Sequence, residues 1–203
     1  SATTTAEAIR GCKMAHRNGA SGVIANAVSY VPLNTNELKD YFWQIAQHSP
    51  LPLCVYDNPP NTGQSLSLEL LAELAAHPNI AAVKVFAQPD NTPQHQALSQ
   101  LACAAGYAVD FHACEAMIGG GDAWYSTLAG TLPEALVPIM RAIQAGDFEQ
   151  ARKVNQALEP IYQLMRQHSG FRVVHAIANH RGWSCQLPAP LQMPSLDLEG
   201  LIV

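Results

Sequence analysis

The sequence is short of charge and has no long apolar run, and each shortage removes a class of function. Only 13% of its 203 residues are charged, against 48% hydrophobic, so the chain can bury a sizeable core and lies outside the disordered class. Lys and Arg number 11 against 16 Asp and Glu, a formal net charge of -5, which leaves no basic footprint for nucleic acid. Nowhere do about 18 to 20 apolar residues run together as a membrane span requires, and the opening Ser1 to Gly11 lacks the apolar core of a secretory signal. A soluble, cytoplasmic chain is expected. The five cysteines (Cys12, Cys54, Cys103, Cys114, Cys185) are odd in number, scattered and without a C-x-x-C pair, which argues against a disulfide scaffold or zinc ribbon. No G-x-G-x-x-G follows the first expected strand, and no nucleophile elbow or Ser-His-Asp set is present. No cofactor is expected.

What the sequence does have is a repeat of short apolar runs, each bounded by turn residues and followed by an amphipathic segment. The runs are Gly22 to Val28, Pro52 to Tyr56, Ile80 to Phe86, Ala108 to His112 and Ala123 to Leu128. The first four end about 28 residues apart, the spacing of successive strand-helix units in an α/β fold with parallel strands. Between them, Leu38, Tyr41, Phe42 and Ile45 recur at i, i+3, i+4 and i+7, and Leu70, Leu71 and Leu74 form a second stripe. Thr4 with Glu7 and Thr131 with Glu134 read as capping boxes. Asn91 or Thr92 starts a helix that Gly106 ends, and Asp147 caps a long helix reaching about His168. Beyond Gly170 a helix gives way to a proline-rich loop. Periodicity alone leaves two architectures open, a doubly wound sheet or part of an eight-stranded βα barrel.

Two side chains stand out chemically. Lys84 lies in Ile80-Ala-Ala-Val-Lys-Val-Phe86, on a strand expected to be buried on both faces. Burial disfavours the ammonium form, so the expected result is a free amine able to act as a nucleophile; a lysine snorkelling from the strand end would look the same in sequence. Tyr56 closes the preceding strand, and in a βα barrel such ends surround the active site. An amine condenses with a keto acid to a Schiff base, and a phenol beside it can relay protons. His112, Cys114 and Glu115 lack a fourth distant ligand, so no metal site is expected. Gly119-Gly120-Gly121-Asp122 precedes a strand and reads as a turn.

Val-Tyr-Asp-Asn-Pro-Pro-Asn-Thr-Gly at 55–63, Ala-Val-Lys at 82–84, the opening Thr-Thr-Ala-Glu-Ala, Tyr30 before Pro32 and Gly-Asp-Phe-Glu-Gln-Ala-Arg at 146–152 together resemble the dihydrodipicolinate synthase and N-acetylneuraminate lyase family. The likeness covers most of the chain. It implies a (β/α)8 barrel represented by about its last five strands over 1–146, with a C-terminal helical region over 147–203. It also implies a class I lyase in which Lys84 forms an imine with pyruvate or a related 2-keto acid, Tyr56 assists proton transfer, and Tyr30 reaches the site of a neighbouring subunit. A homo-oligomer, dimer or tetramer, follows from that sharing, with pyruvate and an aldehyde as small-molecule partners.

The sequence departs from the family in three informative places, one of them the short stretch between His112 and Trp124, too small for a full crossover helix. The family's first three strands and its keto-acid carboxylate loop are absent, so a chain that only assembles or binds is the rival expectation to an enzyme. Asn61 stands where lysine-biosynthetic members place an arginine for the semialdehyde carboxylate, and asparagine cannot give a bidentate, charge-assisted contact. The resemblance therefore points away from dihydrodipicolinate synthesis and toward cleavage of a 2-keto-3-deoxy sugar acid or similar substrate, with Asn61 in the substrate site. A keto-acid dehydratase using the same imine is the alternative.

Overall fold

The computed structural model describes residues 2–89 and 92–201. In chain order its elements are α1 (Thr5–Arg17), β1 (Val23–Ala25), α2 (Thr35–His48), β2 (Leu53–Tyr56), α3 (Pro59–Thr62), α4 (Leu68–Ala75), β3 (Ile80–Phe86), α5 (Thr92–Leu98), β4 (Ala104–Ala108), α6 (Asp110–Ile118), β5 (Ala123–Trp124), α7 (Pro133–Gln144), α8 (Phe148–Ala157), α9 (Glu159–His168) and α10 (Gly170–His180). They form two compact units, one of Ser1–Ala108 with Gly119–Trp124, the other of Val109–Ile118 with Tyr125–Val203. Residues 125–146 thus group with the C-terminal helices.

In the first unit the strands pair in the order β1-β2-β3-β4-β5, all parallel. Each strand lies beside its successor, without the reversal of order that marks a doubly wound sheet, so the sheet is a run of barrel staves. The α/β, barrel-type fold expected from the sequence is the fold observed. Helices cover one face: Leu38, Tyr41, Phe42 and Ile45 of α2 and Leu70, Leu71 and Leu74 of α4 are all buried, against Leu53, Val55 and Val83 of the strands. The same stripes that the 3.6-residue period marked out form the core.

Caps and joints hold the segments in place. Thr4 Oγ1 accepts the Glu7 N–H at 3.3 Å, the first half of the expected box, while Glu7 Oε2 accepts the Thr3 hydroxyl at 3.2 Å. At α2 Asn34 and Glu37 make a full reciprocal box at 3.0 and 2.7 Å. Asn79, just before β3, donates its amide to the carbonyls of Ala46, Ser49 and Leu51 at 2.8, 3.1 and 3.1 Å, tying the start of β3 to the α2-β2 connection.

Four expectations about the elements need correction. The helix beginning at Thr92 ends at Leu98, not Gly106, and Gly106 lies inside β4; Asn91, the other start considered, lies outside the described residues. The fourth strand is Ala104–Ala108, earlier than Ala108 to His112, because Val109 turns to φ +75° and Asp110 opens α6. A crossover helix therefore fits before β5 after all. At α7 no side chain caps the N-terminus: Leu132 occupies that position, Thr131 Oγ1 donates to the Leu128 carbonyl at 3.1 Å, and Pro133 supplies a first-turn residue that needs no donor partner. The helix from Asp147 stops at Ala157 and restarts at Glu159, because Pro160 offers no N–H and its ring would strike the carbonyl four residues back.

The second unit is helical. Asp110, 1% exposed, accepts the N–H groups of Thr127 at 3.0 Å and Leu128 at 3.2 Å, and Arg152 grips Glu115 of α6 through two bonds at 2.8 and 2.9 Å. Tyr162 donates to Asn155 Oδ1 at 2.9 Å, joining α9 to α8. No helix among the described residues is long and apolar enough to cross a membrane.

Because Asn79 satisfies three carbonyls at once, Asn79→Ala is expected to destabilise the protein by about 1–3 kcal/mol, the cost of leaving part-buried acceptors without donors. Urea unfolding of the two proteins measures it, and a midpoint unchanged by the substitution would contradict the joint.

Candidate active site

The parallel ladder between β2 and β3 sets Tyr56 opposite Lys84. The Asp57 N–H extends it one residue beyond β2 by donating to the Lys84 carbonyl at 2.9 Å. The side chains meet as the backbone dictates: Lys84 Nζ lies 3.8 Å from the centroid of the Tyr56 ring, well inside the range in which an ammonium ion is attracted to an aromatic face. Both residues are half-buried.

Strand alternation fixes their surroundings. Val83 and Val85 point into the helix-covered core at 0% and 1% exposure, so Ala82, Lys84 and Phe86 lie on the other face of β3. Across the next ladder Lys84 pairs with Gly106 and Phe86 with Ala108. Glycine and alanine next to a long amine leave room on that face, which a strand of larger residues would fill.

Burial raises the Tyr56 pKa, with the neighbouring Asp57 carboxylate adding to the shift, so the phenol holds its proton across the neutral range. Burial likewise raises the Asp57 carboxyl, partly offset by the Leu66 N–H that donates to Oδ1 at 3.0 Å. The site therefore pairs a lysine side chain with a protonated phenol.

The other sequence candidates lie elsewhere. Asn61 is exposed on α3, where its amide donates to Asn58 Oδ1 at 3.0 Å and helps close the turn after β2. Tyr30 stands fully exposed on the loop after β1. That loop is tethered at the Leu33 N–H, which donates to Oε1 of the buried Gln64 at 3.3 Å, so the Tyr30 loop and the turn after Tyr56 are held together. Of the rejected metal ligands, Cys114 is buried and Glu115 is engaged by Arg152, and burial lowers the His112 pKa with Arg166 reinforcing the shift. The sequence reading missed Phe86, Gly106 and Asp57. Phe86 was within reach, since it sits two residues along the strand from Lys84; Gly106 was hidden by the misplaced fourth strand.

The model of the dihydrodipicolinate synthetase family matches residues 1–199. The chain is 30% identical over 194 residues to a 4-hydroxy-tetrahydrodipicolinate synthase of Methanospirillum hungatei, covering 94% of this chain and 65% of that protein. It is 31% identical over 207 residues to a probable mitochondrial 4-hydroxy-2-oxoglutarate aldolase of Emericella nidulans, covering 97% of this chain and 65% of the relative. The crystal structure of a dihydrodipicolinate synthase from Agrobacterium tumefaciens superposes with a TM-score of 0.91 at 35% identity, over 98% of this chain and 68% of that one. The chain thus spans about two thirds of the length of the curated relatives it matches.

A phenol desolvated in this way is expected to ionise above the value of about 10 for free tyrosine. The folded state then favours the protonated form, and that contribution is present below pH 10 and lost as pH rises through the folded pKa. The difference between alkaline absorbance titrations of the protein and its Tyr56→Phe variant isolates this one phenol. A midpoint at or below 10 would contradict its burial.

Proposed function

The chain belongs to the dihydrodipicolinate synthetase family, and we propose that it carries the Schiff-base centre of a class I aldolase-type lyase, with Lys84 as the amine nucleophile and Tyr56 as the proton relay. The observation that supports this most directly is the Lys84 Nζ set 3.8 Å from the Tyr56 ring centroid on the open face of a barrel-type sheet. Lys84 adds to the C2 carbonyl of a 2-keto acid, and loss of water gives a protonated imine. A base removes the C4 hydroxyl proton, the C3–C4 bond breaks to release the aldehyde, and its electron pair moves to the iminium nitrogen as an enamine. Protonation at C3 and hydrolysis by water then release pyruvate and restore the amine. Tyr56, protonated at neutral pH, delivers and recovers protons in these steps.

The substrate we propose is a 2-keto-3-deoxy sugar acid or related hydroxylated keto acid. Asn61 supports this choice, because a neutral amide suits a hydroxyl better than the carboxylate of an aspartate-derived semialdehyde. The full exposure of Tyr30 suits its proposed role toward the site of a second copy in a homo-oligomer, a dimer or tetramer in the cytoplasm.

Borohydride reduction in the presence of pyruvate, followed by peptide mass spectrometry, is expected to place a stable adduct on Lys84. Lys84→Arg should abolish both adduct and turnover, while Tyr56→Phe should keep the adduct and slow turnover by roughly 10²- to 10⁴-fold. An adduct on another residue, or one that persists in Lys84→Arg, would overturn the assignment.

A further inference from the structure

The open face of the sheet is polar at the level of Lys84 and apolar just beyond it. Lys84 is the one charged residue in β2, β3 and β4. Two residues further along β3 the same face carries Phe86. Val85 and Ala87, on either side of it in the chain, are buried at 1% and 0% exposure, so alternation sends the Phe86 ring to the face of Lys84. The end of the strand is held in place. The Ala87 N–H continues the ladder by donating to the Ala108 carbonyl at 3.2 Å, and the Phe86 carbonyl accepts the Gln94 amide at 3.2 Å. The ring is half-buried, so part of it remains accessible. Its partner across the β3-β4 ladder is Ala108, and that of Lys84 is Gly106. Past the lysine, β3 and β4 thus offer the open face an aromatic ring, a methyl group and bare backbone, with no side chain that forms hydrogen bonds.

Spacing sets what fits there. Side chains two residues apart on a strand stand about 7 Å apart, and apolar atoms touch at about 3.5–4.0 Å. The gap between the Lys84 stem and the Phe86 ring therefore admits one flat group in contact with both. A 2-keto acid joined to Nζ through C2 carries its C4 substituent two bonds further on, within reach of that gap. Hydroxyls set against Phe86 and Ala108 would lose water and gain no partner, whereas an apolar group is stabilised by leaving water. We propose that Phe86 is a specificity-determining residue, selecting 4-hydroxy-2-keto acids whose C4 bears a planar apolar group over polyhydroxylated ones. This rests on the lyase reading and narrows its substrate class to the related hydroxylated keto acids. With an aryl group on C4, breaking C3–C4 gives an aryl aldehyde, whose oxygen is the former C4 hydroxyl. C3 keeps the electron pair as the enamine, takes up a proton and leaves as the methyl group of pyruvate.

Borohydride trapping of the full chain in an equimolar mixture of 2-oxo-4-phenylbutanoate and 2-oxoglutarate tests it, because the two differ only in a phenyl or a carboxylate group on C4. Peptide mass spectrometry reads the ratio of the two adducts on Lys84, and pyruvate trapped separately is the reference. The phenyl adduct is expected to dominate about tenfold or more, the worth of packing one face of a ring. Phe86→Thr should lower that ratio about tenfold, and Phe86→Leu, which keeps an apolar wall without the ring, should give a ratio between the two. Circular dichroism checks that each variant folds, and Phe86→Leu decides the matter if Phe86→Thr does not. Equal adducts in the parent protein, or a ratio unchanged by the substitutions, would overturn the proposal and leave the Lys84 assignment standing. A chain that traps none of the three keto acids would overturn the lyase reading, and this proposal with it.

Discussion

The parallel ladder between β2 and β3 is the constraint on which the candidate site depends. Tyr56 and Lys84 are 28 residues apart in sequence, and the register places them side by side at the ends of adjacent strands. A shift of one residue would turn the lysine toward the helix-covered core and the tyrosine out of reach, since side chains alternate along a strand. What holds the register is packing on the far side of the sheet, where Leu53, Val55, Val83 and Val85 bury themselves against α2 and α4. The bond from the Asp57 N–H to the Lys84 carbonyl then carries the pairing just past the end of β2. The face that carries Lys84 and Tyr56 is set by the face that does not.

The sequence was legible wherever one physical signal dominated. Runs dense in isoleucine and valine gave β3 to the residue, and the stripes of α2 and α4 emerged as the buried faces. β4 was not legible, because Ala104-Ala-Gly-Tyr-Ala108 has no β-branched residue and its central glycine reads as a helix stop. The turn at Val109 is equally opaque, since a β-branched residue is a poor advertisement for a positive φ. Pro160 was visible as a helix breaker, yet the apolar stripe running through it from α8 to α9 outweighed that signal in the reading. For the site, Lys84 and Tyr56 could be found by position, whereas Gly106 could not, because no β-branched residue marks its strand.

Desolvation is the leading cause of the raised pKa at both Tyr56 and Asp57, and each group is adjacent to the other in the chain. An ionised Asp57 makes ionisation of Tyr56 harder, so the two do not compete to be anions in the neutral range: whichever charge the acid takes, the phenol stays neutral. A neutral phenol presents its ring to the Lys84 nitrogen while keeping a proton to give. Burial thus keeps the Tyr56 proton in place across the neutral range, next to the Lys84 nitrogen. The side chains at Gly106 and Ala108 are nearly absent: Lys84 and Tyr56 are close because the register makes them so, and the neighbouring strand leaves space beside them.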